Sequence, residues 1–223
     1  MATPYALIEL EDIQSTQDEA FARAQQAPVL VVAARQSAGR GRLGRGWQTA
    51  PRAVAASLAV RPTGWNPGQF PRLSLVAALA GRVALGEDIA CKWPNDLVRA
   101  ETKMAGLLLE AAGDLVVIGL GVNLWWPDAP IGFGSLFEND PSRDAGVDLA
   151  ARWCDDLLAR IARGPERWGR EEYRNACSTI GRDIRWRPEG TGVVRDIDEQ
   201  GRLVVETATG DLRLSSGEVW EIR

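Results

Sequence analysis

A run of interleaved arginines and glycines between residues 35 and 52 is the part of this chain best suited to chemistry. Five arginines and four glycines fall in that window, which contains no acidic residue, although the whole chain has a formal charge of −4. Guanidinium groups bind carboxylate and phosphate oxygens through paired hydrogen bonds, and glycine lets the backbone approach a ligand closely. The segment has neither helical nor strand periodicity. We therefore predict a loop that orders around an anion and is mobile without one, because ordering costs about 1–2 kcal/mol per residue.

The motif Lys-Trp-Pro-Asn-Asp at 92–96 ends a short predicted strand. Proline favours an extended conformation in the residue before it, here Trp93, and asparagine and aspartate are typical turn residues. A rigid turn at a strand end is a suitable mount for polar side chains near a ligand. Asn95 and Asp96 are therefore candidate site residues, although the motif also suits an ordinary strand end.

Two apolar strands further along contain residues that a plain core does not need. Lys103 opens the first strand, where a lone lysine is more often a surface charge, but Gly106 within the same strand indicates close approach by another group. The second strand contains Gly119, Gly121 and Asn123. Each glycine weakens a strand by roughly 0.5–1 kcal/mol relative to alanine. A ligand lying against the backbone would account for them.

The elements that must position these motifs follow from periodicity, capping signals and turn residues. Predicted strands lie at 5–10, 29–34, 53–60, 89–93, 104–111 and 115–122, the last two joined by a turn at 113–114. Predicted helices lie at 16–25, with a capping box on Thr16 and Glu19, and at 70–85, 147–162 and 165–176. Short strands follow at 185–187, 193–194, 203–206, 212–214 and 219–222, with turns at 188–190, 199–201 and 209–211.

These elements predict an α+β protein of two domains. Residues 1–178 would form a mixed β-sheet with flanking helices, and residues 179–223 a small SH3-like β-barrel. The alternation of strands and helices ends near Gly181, which places the boundary there.

Composition excludes several classes of protein and mechanism. The 223-residue chain has no histidine, and its three cysteines are widely spaced, so a histidine base and a zinc site of the usual Cys/His spacing are both excluded. No apolar run reaches the ~20 residues that span a bilayer, and residues 1–4 do not resemble a signal peptide. We expect a cytoplasmic protein without membrane contact. Net acidity argues against general nucleic-acid binding.

Taken together, the motifs resemble those of biotin protein ligases. Gly-Arg-Gly-Arg-x-Gly-Arg-x-Trp (39–47), Lys-Trp-Pro-Asn-Asp (92–96), Lys-x-x-Gly (103–106) and Gly-x-Gly-x-Asn (119–123) occur in family order and near family spacing. The resemblance covers essentially the whole chain, and the residues after Trp47 and the tail look most like the actinobacterial branch. The chain starts at the catalytic body, so the resemblance implies the short, non-repressor type that lacks a DNA-binding winged helix.

The resemblance implies a two-step reaction. Biotin and ATP with Mg²⁺ form biotinyl-5′-AMP, and the adenylate then acylates one lysine of the biotin carboxyl carrier domain of an acetyl-CoA or acyl-CoA carboxylase. The catalytic residues implied are Lys103, Arg40 and Asp96. The binding residues implied are Ser15, Thr16 and Gln36 at the ureido ring, Gly39 and Arg42 along the tail and phosphate, Asn95 near the metal and phosphate, Trp47 over the adenylate, Asn123 on the nucleotide side, and Gly106, Gly119 and Gly121. No metal site made by the protein alone is expected.

Electrostatics agree with this interpretation. Adenylation joins a carboxylate to a triphosphate, so the site must be cationic. In the second step the carrier lysine must lose a proton, and the chain has no histidine to take it. By motif, Asp96 is the best-placed carboxylate, acting as a base or electrostatically. Gln17 stands where the family has asparagine or a similar polar residue, and the loop at 110–119 is shorter than in some members. Neither departure affects the expected chemistry.

Three alternatives remain open at the level of sequence: a lipoate–protein ligase-like enzyme, an inactive protein that binds biotin or its adenylate, and an RNA-binding protein that uses the arginine-rich loop. The polar trio of Ser15, Thr16 and Gln36 suits a ureido group better than a dithiolane. Intact Lys103 and Arg40 favour an active enzyme, and the net acidity disfavours RNA binding.

Overall fold

Two β-sheets form the framework of the chain in the computed structural model, which describes residues 4–187, 190–215 and 219–221. The strands are β1 (Ala6–Ile13), β2 (Val29–Gln36), β3 (Arg52–Val60), β4 (Ala90–Lys92), β5 (Asp96–Arg99), β6 (Thr102–Ala112), β7 (Leu115–Trp125), β8 (Asp183–Trp186), β9 (Gly190–Ile197), β10 (Leu203–Thr207), β11 (Gly210–Leu214) and β12 (Val219–Glu221). The α-helices are α1 (Thr16–Arg23), α2 (Phe70–Leu85), α3 (Ala145–Ile161) and α4 (Arg170–Ala176). Short 3₁₀ helices lie at Arg42–Gly44, Pro67–Gln69 and Pro165–Arg167.

The larger sheet has seven strands in the order β1-β2-β3-β7-β6-β5-β4. Only the β1–β2 pair is parallel among its ladders, so the sheet is mixed, as predicted. The predicted hairpin is β6–β7, with Gly113 at its turn in a left-handed conformation (φ 63°). β1 lies at one edge of the sheet.

The two faces of this sheet differ in side-chain size. Because alternate residues of a strand point to opposite faces, one face carries the large apolar residues that pack with α2 and α3 in the main core. On the other face, α1 packs against Val31, Ala59 and Val117. Beside α1 the same face carries mostly small residues on β3, β6 and β7, which are Ala55, Ser57, Gly106, Gly119 and Gly121, with Leu108 as the large exception. An open space therefore lies there.

The smaller sheet is antiparallel, with the strand order β11-β10-β9-β8-β12. Its interior is formed by Ile184, Val194, Ile197, Leu203 and Val205, all of them fully buried. The α+β class and the C-terminal all-β module are thus confirmed. Ile222 of the predicted strand 219–222 and residues 188–189 of a predicted turn lie outside the described residues. The domain boundary between 178 and 179 stays a prediction.

Local predictions were wrong at three places. The N-cap of α1 is Ser15, whose hydroxyl accepts from the Asp18 backbone nitrogen, and not the predicted capping box on Thr16 and Glu19. The helix predicted at 165–176 is divided, because Gly169 adopts a left-handed conformation (φ 94°) that ends one helix before the next begins. β5 was not predicted, since four residues with charged ends show no periodicity.

No helix in the described ranges has the length and apolarity to span a bilayer.

Candidate active site

A cleft of about 290 Å³ occupies the open space beside α1. Its floor is the small-residue face of β3, β6 and β7, and its walls are the start of α1 and the arginine–glycine loop. All the predicted site residues line it except Gly39 and Asn123. Motifs as far apart in the chain as Ser15 and Gly121 therefore meet at one place.

One end of the cleft is a neutral hydrogen-bonding cluster at the N-terminus of α1. The Thr16 backbone nitrogen and hydroxyl both donate to Gln36 Oε1, over 2.7 and 3.0 Å. Since the Thr16 hydroxyl gives its proton to Gln36, the Ser57 hydroxyl donates to Thr16 Oγ1 over 2.8 Å. Ser15 lies beside them and is also buried. Ser57 was not predicted, although it is the one polar residue in the otherwise apolar run 53–60 and could have been noticed for that reason.

The rest of the cleft, its cationic end, begins at Arg40, which binds the first turn of α1 and is the most strongly paired of the cations. Its guanidinium donates to both carboxylate oxygens of Asp18, over 2.7 and 2.8 Å, and to Glu110 over 3.2 Å. The hydrogen bond that Arg40 donates to Asp18 raises the pKa of Arg40 and lowers the pKa of Asp18. Glu110 also accepts from Gln17 Nε2 over 3.0 Å. Sequence reasoning predicted neither carboxylate as part of the site.

Arg42 lies deeper than Arg40, on the motif at 92–96. Burial lowers the pKa of Arg42, and the nearby charge of Asp96 opposes that shift. Its Nη1 donates to Asn95 Oδ1 over 3.2 Å. Asn95 is itself held against β6, because it donates to and accepts from the backbone of Leu107, each over 2.8 Å. The predicted mounting of Asn95 at a strand end therefore has a structural basis.

Lys103 points into the cleft and does not serve as a plain surface charge. Its Nζ lies 2.5 Å from Asp96 Oδ1 and 5.3 Å from the ring centre of Trp47. A cation over an aromatic face is attracted by the quadrupole of the ring. Lys103, Arg40 and Arg42 thus each have a counter-group supplied by the protein, which an anionic ligand would replace.

The strand glycines are explained by side chains of the protein. A Cβ on Gly106 or Gly121 would lie 2.8 or 2.9 Å from the Trp47 ring, closer than real side chains allow. A Cβ on Gly119 would lie 2.8 Å from Gln17 Oε1. The close approach inferred from sequence is therefore present, but the group that approaches is Trp47 or Gln17, where a ligand was expected.

The arginine–glycine loop folds back on itself as a small hairpin. Arg40 pairs with Gly46, and the Gly41 nitrogen donates to Arg45 O over 2.7 Å. Of the glycines at 39, 41, 44 and 46, only Gly44 takes a positive φ (72°). The predicted mobility of the empty loop stays a prediction.

Gly39 and Asn123 are the two predicted site residues that do not line the cleft. Gly39 lies at the base of the loop, where its carbonyl accepts from the Trp47 nitrogen over 3.0 Å. Asn123 is fully buried behind the cleft and donates to Gly134 O over 3.0 Å. It fixes the segment that brings Phe133 to the cleft wall. The expectation that Asn123 lines the nucleotide side stays a prediction.

Comparison with family models gives two matches along the chain. Residues 9–123 match the biotin/lipoate A/B protein ligase family, and residues 179–220 match the biotin protein ligase C terminal domain. The first range contains every predicted site residue. The second covers the C-terminal β module.

Curated relatives and solved structures resemble the whole chain. A biotin–[acetyl-CoA-carboxylase] ligase of Mycobacterium tuberculosis is 34% identical, over 87% of this chain and 79% of that protein. One of Paracoccus denitrificans is 32% identical, over 85% and 89%. The biotin protein ligase from Aquifex aeolicus in complex with biotin and ATP superimposes with a TM-score of 0.82 at 25% identity, over 98% of this chain and 99% of that one.

Proposed function

Since the chain belongs to the biotin/lipoate A/B protein ligase family, we propose that it is an ATP-dependent biotin–protein ligase. It activates biotin as biotinyl-5′-AMP and transfers the biotinyl group to a lysine of a biotin carboxyl carrier domain. The structure of a Leishmania major biotin protein ligase with biotinyl-5-AMP, 25% identical with a TM-score of 0.66, supports the intermediate. That the acceptor lysine belongs to an acetyl-CoA or acyl-CoA carboxylase stays a prediction.

One observation carries the proposal: a single cleft joins a neutral hydrogen-bonding end to a cationic end. Thr16, Gln36 and Ser57 would bond a small polar ring. Arg40, Arg42 and Lys103 would bind negative oxygens at the other end. Biotin has a ureido ring at one end and a carboxylate at the other, and ATP adds phosphates beside that carboxylate. The arrangement therefore suits both substrates at once.

In the first step a carboxylate oxygen of biotin attacks the α-phosphorus of ATP, and pyrophosphate leaves. Lys103 would hold the carboxylate and then the acyl phosphate, while Arg40 and Arg42 would bind phosphate oxygens. A preorganised donor aimed at developing charge is worth about 2.7–4 kcal/mol. The carboxylates that now pair with Arg40 and Lys103 would give way to substrate oxygens.

In the second step the amine of the carrier lysine attacks the acyl carbon, and AMP leaves. The mixed anhydride must be kept from water until then, and Trp47 on the cleft floor is suited to cover it. The amine must also lose a proton. Asp96, the carboxylate next to Lys103, is our candidate to accept it.

Mg²⁺ is expected with ATP. Within the described ranges, no group of three or more acidic or cysteine side chains could hold a metal ion alone. Mg²⁺ is usually bound by one or two carboxylates together with substrate phosphates, so Asp96 with Asn95 fits that need. The ion would reduce the repulsion between the two anionic substrates.

Transfer of labelled biotin by the purified chain tests the function directly. With MgATP and a carrier domain, label should appear on the carrier, and it should be absent when the target lysine is replaced. No label on either carrier would contradict the proposal. The expectations that the chain is cytoplasmic and does not bind DNA stay predictions.

Lipoate is the rival substrate, and thermal unfolding separates the two. A ligand at 100 times its dissociation constant adds about 2.7 kcal/mol to the free energy of unfolding. Biotin with ATP should stabilise the chain, and lipoate with ATP should not. Stabilisation by lipoate with ATP, and not by biotin with ATP, would favour the lipoate–protein ligase alternative.

A further inference from the structure

The turn between β9 and β10 in the C-terminal module joins that module to the catalytic body through backbone carbonyls. Three alternate residues of the turn, at 197, 199 and 201, each accept a hydrogen bond from a side chain of the body. The pairs are Arg170 Nε with Ile197 O (2.7 Å), Trp168 Nε1 with Glu199 O (3.0 Å) and Trp93 Nε1 with Gly201 O (3.0 Å). Buried carbonyls require such partners, so the turn is held at defined points.

Among these donors, Trp93 is the one that precedes the cleft residues Asn95 and Asp96 in the chain. Its side chain is buried, and its backbone nitrogen donates to Thr179 Oγ1 over 3.0 Å. Trp93 is thus held at both its backbone and its indole by residues from 179 onward.

The turn also fits tightly against α2, which limits its movement. Gly201 has a positive φ (78°), and a Cβ there would lie 2.7 Å from Leu75 Cδ1. Arg72, also on α2, donates to Glu199 O over 3.4 Å. The carbonyl that meets Trp93 therefore has a fixed position relative to the catalytic body.

We propose that Trp93 is a positioning residue through which the C-terminal module sets the cationic end of the active site. This inference rests on the proposed ligase function. Asn95 binds Arg42, and Asp96 pairs with Lys103, so a shift at Trp93 reaches two of the four cations that line the cleft.

The biotin end of the cleft is independent of this connection. Thr16, Gln36 and Ser57 lie on α1, β2 and β3, which are away from the β4–β5 turn that contains Trp93. Loss of the indole–carbonyl bond should therefore slow the ATP-dependent step and affect the bonding of the ureido ring of biotin little. A general loss of stability would not separate the two ends in this way.

The test compares Trp93→Phe with Trp168→Phe. Both variants keep an aromatic ring at a buried position and lose one indole donor to the same turn. Displacement of catalytic groups by about 1 Å can lower a rate up to ~10²-fold. We expect Trp93→Phe to lower kcat for pyrophosphate release by about tenfold or more, and Trp168→Phe to stay close to the wild type. Biotin affinity measured without ATP should change far less than kcat in Trp93→Phe, because the groups that bond the ureido ring are untouched, and should be unchanged in Trp168→Phe.

A second pair of variants guards against misfolding of Trp93→Phe. Gly201→Ala should move the carbonyl away from Trp93 and repeat the defect in kcat. Gly210→Ala also replaces a glycine with a positive φ. Because Gly210 has open space around it, this variant should not repeat the defect in kcat. Equal losses in the two tryptophan variants, or normal kcat in both Trp93→Phe and Gly201→Ala, would overturn the inference. A wild-type chain that releases no pyrophosphate would instead refute the ligase function itself.

Discussion

The two faces of the seven-stranded sheet are built from the same strands and serve opposite purposes. Leu58 and Leu120 point toward α2 and α3 and are fully or almost fully buried there. Their chain neighbours Ser57 and Gly121 point into the cleft. The large residues of one face fill the core and stabilise the fold. The small residues of the other face leave open the cleft that forms the site. The glycines that weaken the strands on the cleft face are needed because the Trp47 ring lies against them.

The largest effects are expected from alanine substitutions of two chain neighbours on opposite faces, Leu120 and Gly121. Truncation of a buried leucine to alanine lowers the free energy of unfolding by about 2–5 kcal/mol, so Leu120→Ala should destabilise the chain yet keep its activity per folded molecule. Gly121→Ala should change stability by less than about 1 kcal/mol and lower the adenylation rate, because the added methyl group displaces Trp47. Denaturant unfolding and pyrophosphate release measure the two. If both variants lost stability and activity together, the division of labour between the faces would be wrong.

The next effect concerns the cationic end of the cleft. Lys103→Ala should lower adenylation by more than ~10²-fold, since a donor at the developing charge is worth about 2.7–4 kcal/mol. Arg23→Ala is the matched control, because Arg23 is an exposed cation at the end of α1 that pairs with Glu19. It should have wild-type activity. Wild-type rates of pyrophosphate release in Lys103→Ala would refute the assigned role.

The smallest effect compares ion pairs on the two sides of the sheet. On the helical side, buried Arg160 binds Glu172 and lowers the pKa of that carboxyl from its ordinary 4.5. A carboxyl with a lowered pKa stabilises the fold above its unfolded pKa, and this contribution is lost as pH falls through the folded pKa. The loss therefore lies below about pH 4.5.

Glu172→Gln should remove this contribution, which we expect to be under about 1 kcal/mol because Glu172 is partly exposed. The difference in stability from the wild type should shrink between pH 6 and pH 3. Asp18, on the cleft side, also has a lowered pKa because it binds Arg40, but its side chain is 62% exposed. Asp18→Asn should leave the acid stability nearly unchanged. Equal acid profiles for the two variants would remove this contrast.

Periodic elements and motif chemistry were predictable from the sequence. Helix 70–85 has the predicted bounds, and the β6–β7 hairpin has the predicted turn, because their signals are local. The motifs around Arg40, Asn95 and Lys103 were predicted to act together, and they line one cleft. Local signals were too short at β5 and misleading at Gly169, where a single left-handed residue divides a helical pattern.

On its own, the sequence indicated an α+β framework and a site in which cationic side chains and glycine-rich segments bind anions. The absence of histidine excluded a histidine base. Which groups meet was decided by tertiary structure alone: Asp18 and Glu110 at Arg40, Trp47 on Gly121, and Trp93 on a carbonyl 108 residues away. The physical reason is that periodicity and capping act over one or two turns of chain. The partner of a side chain depends on strand order and register, which bring together residues that have no local relation.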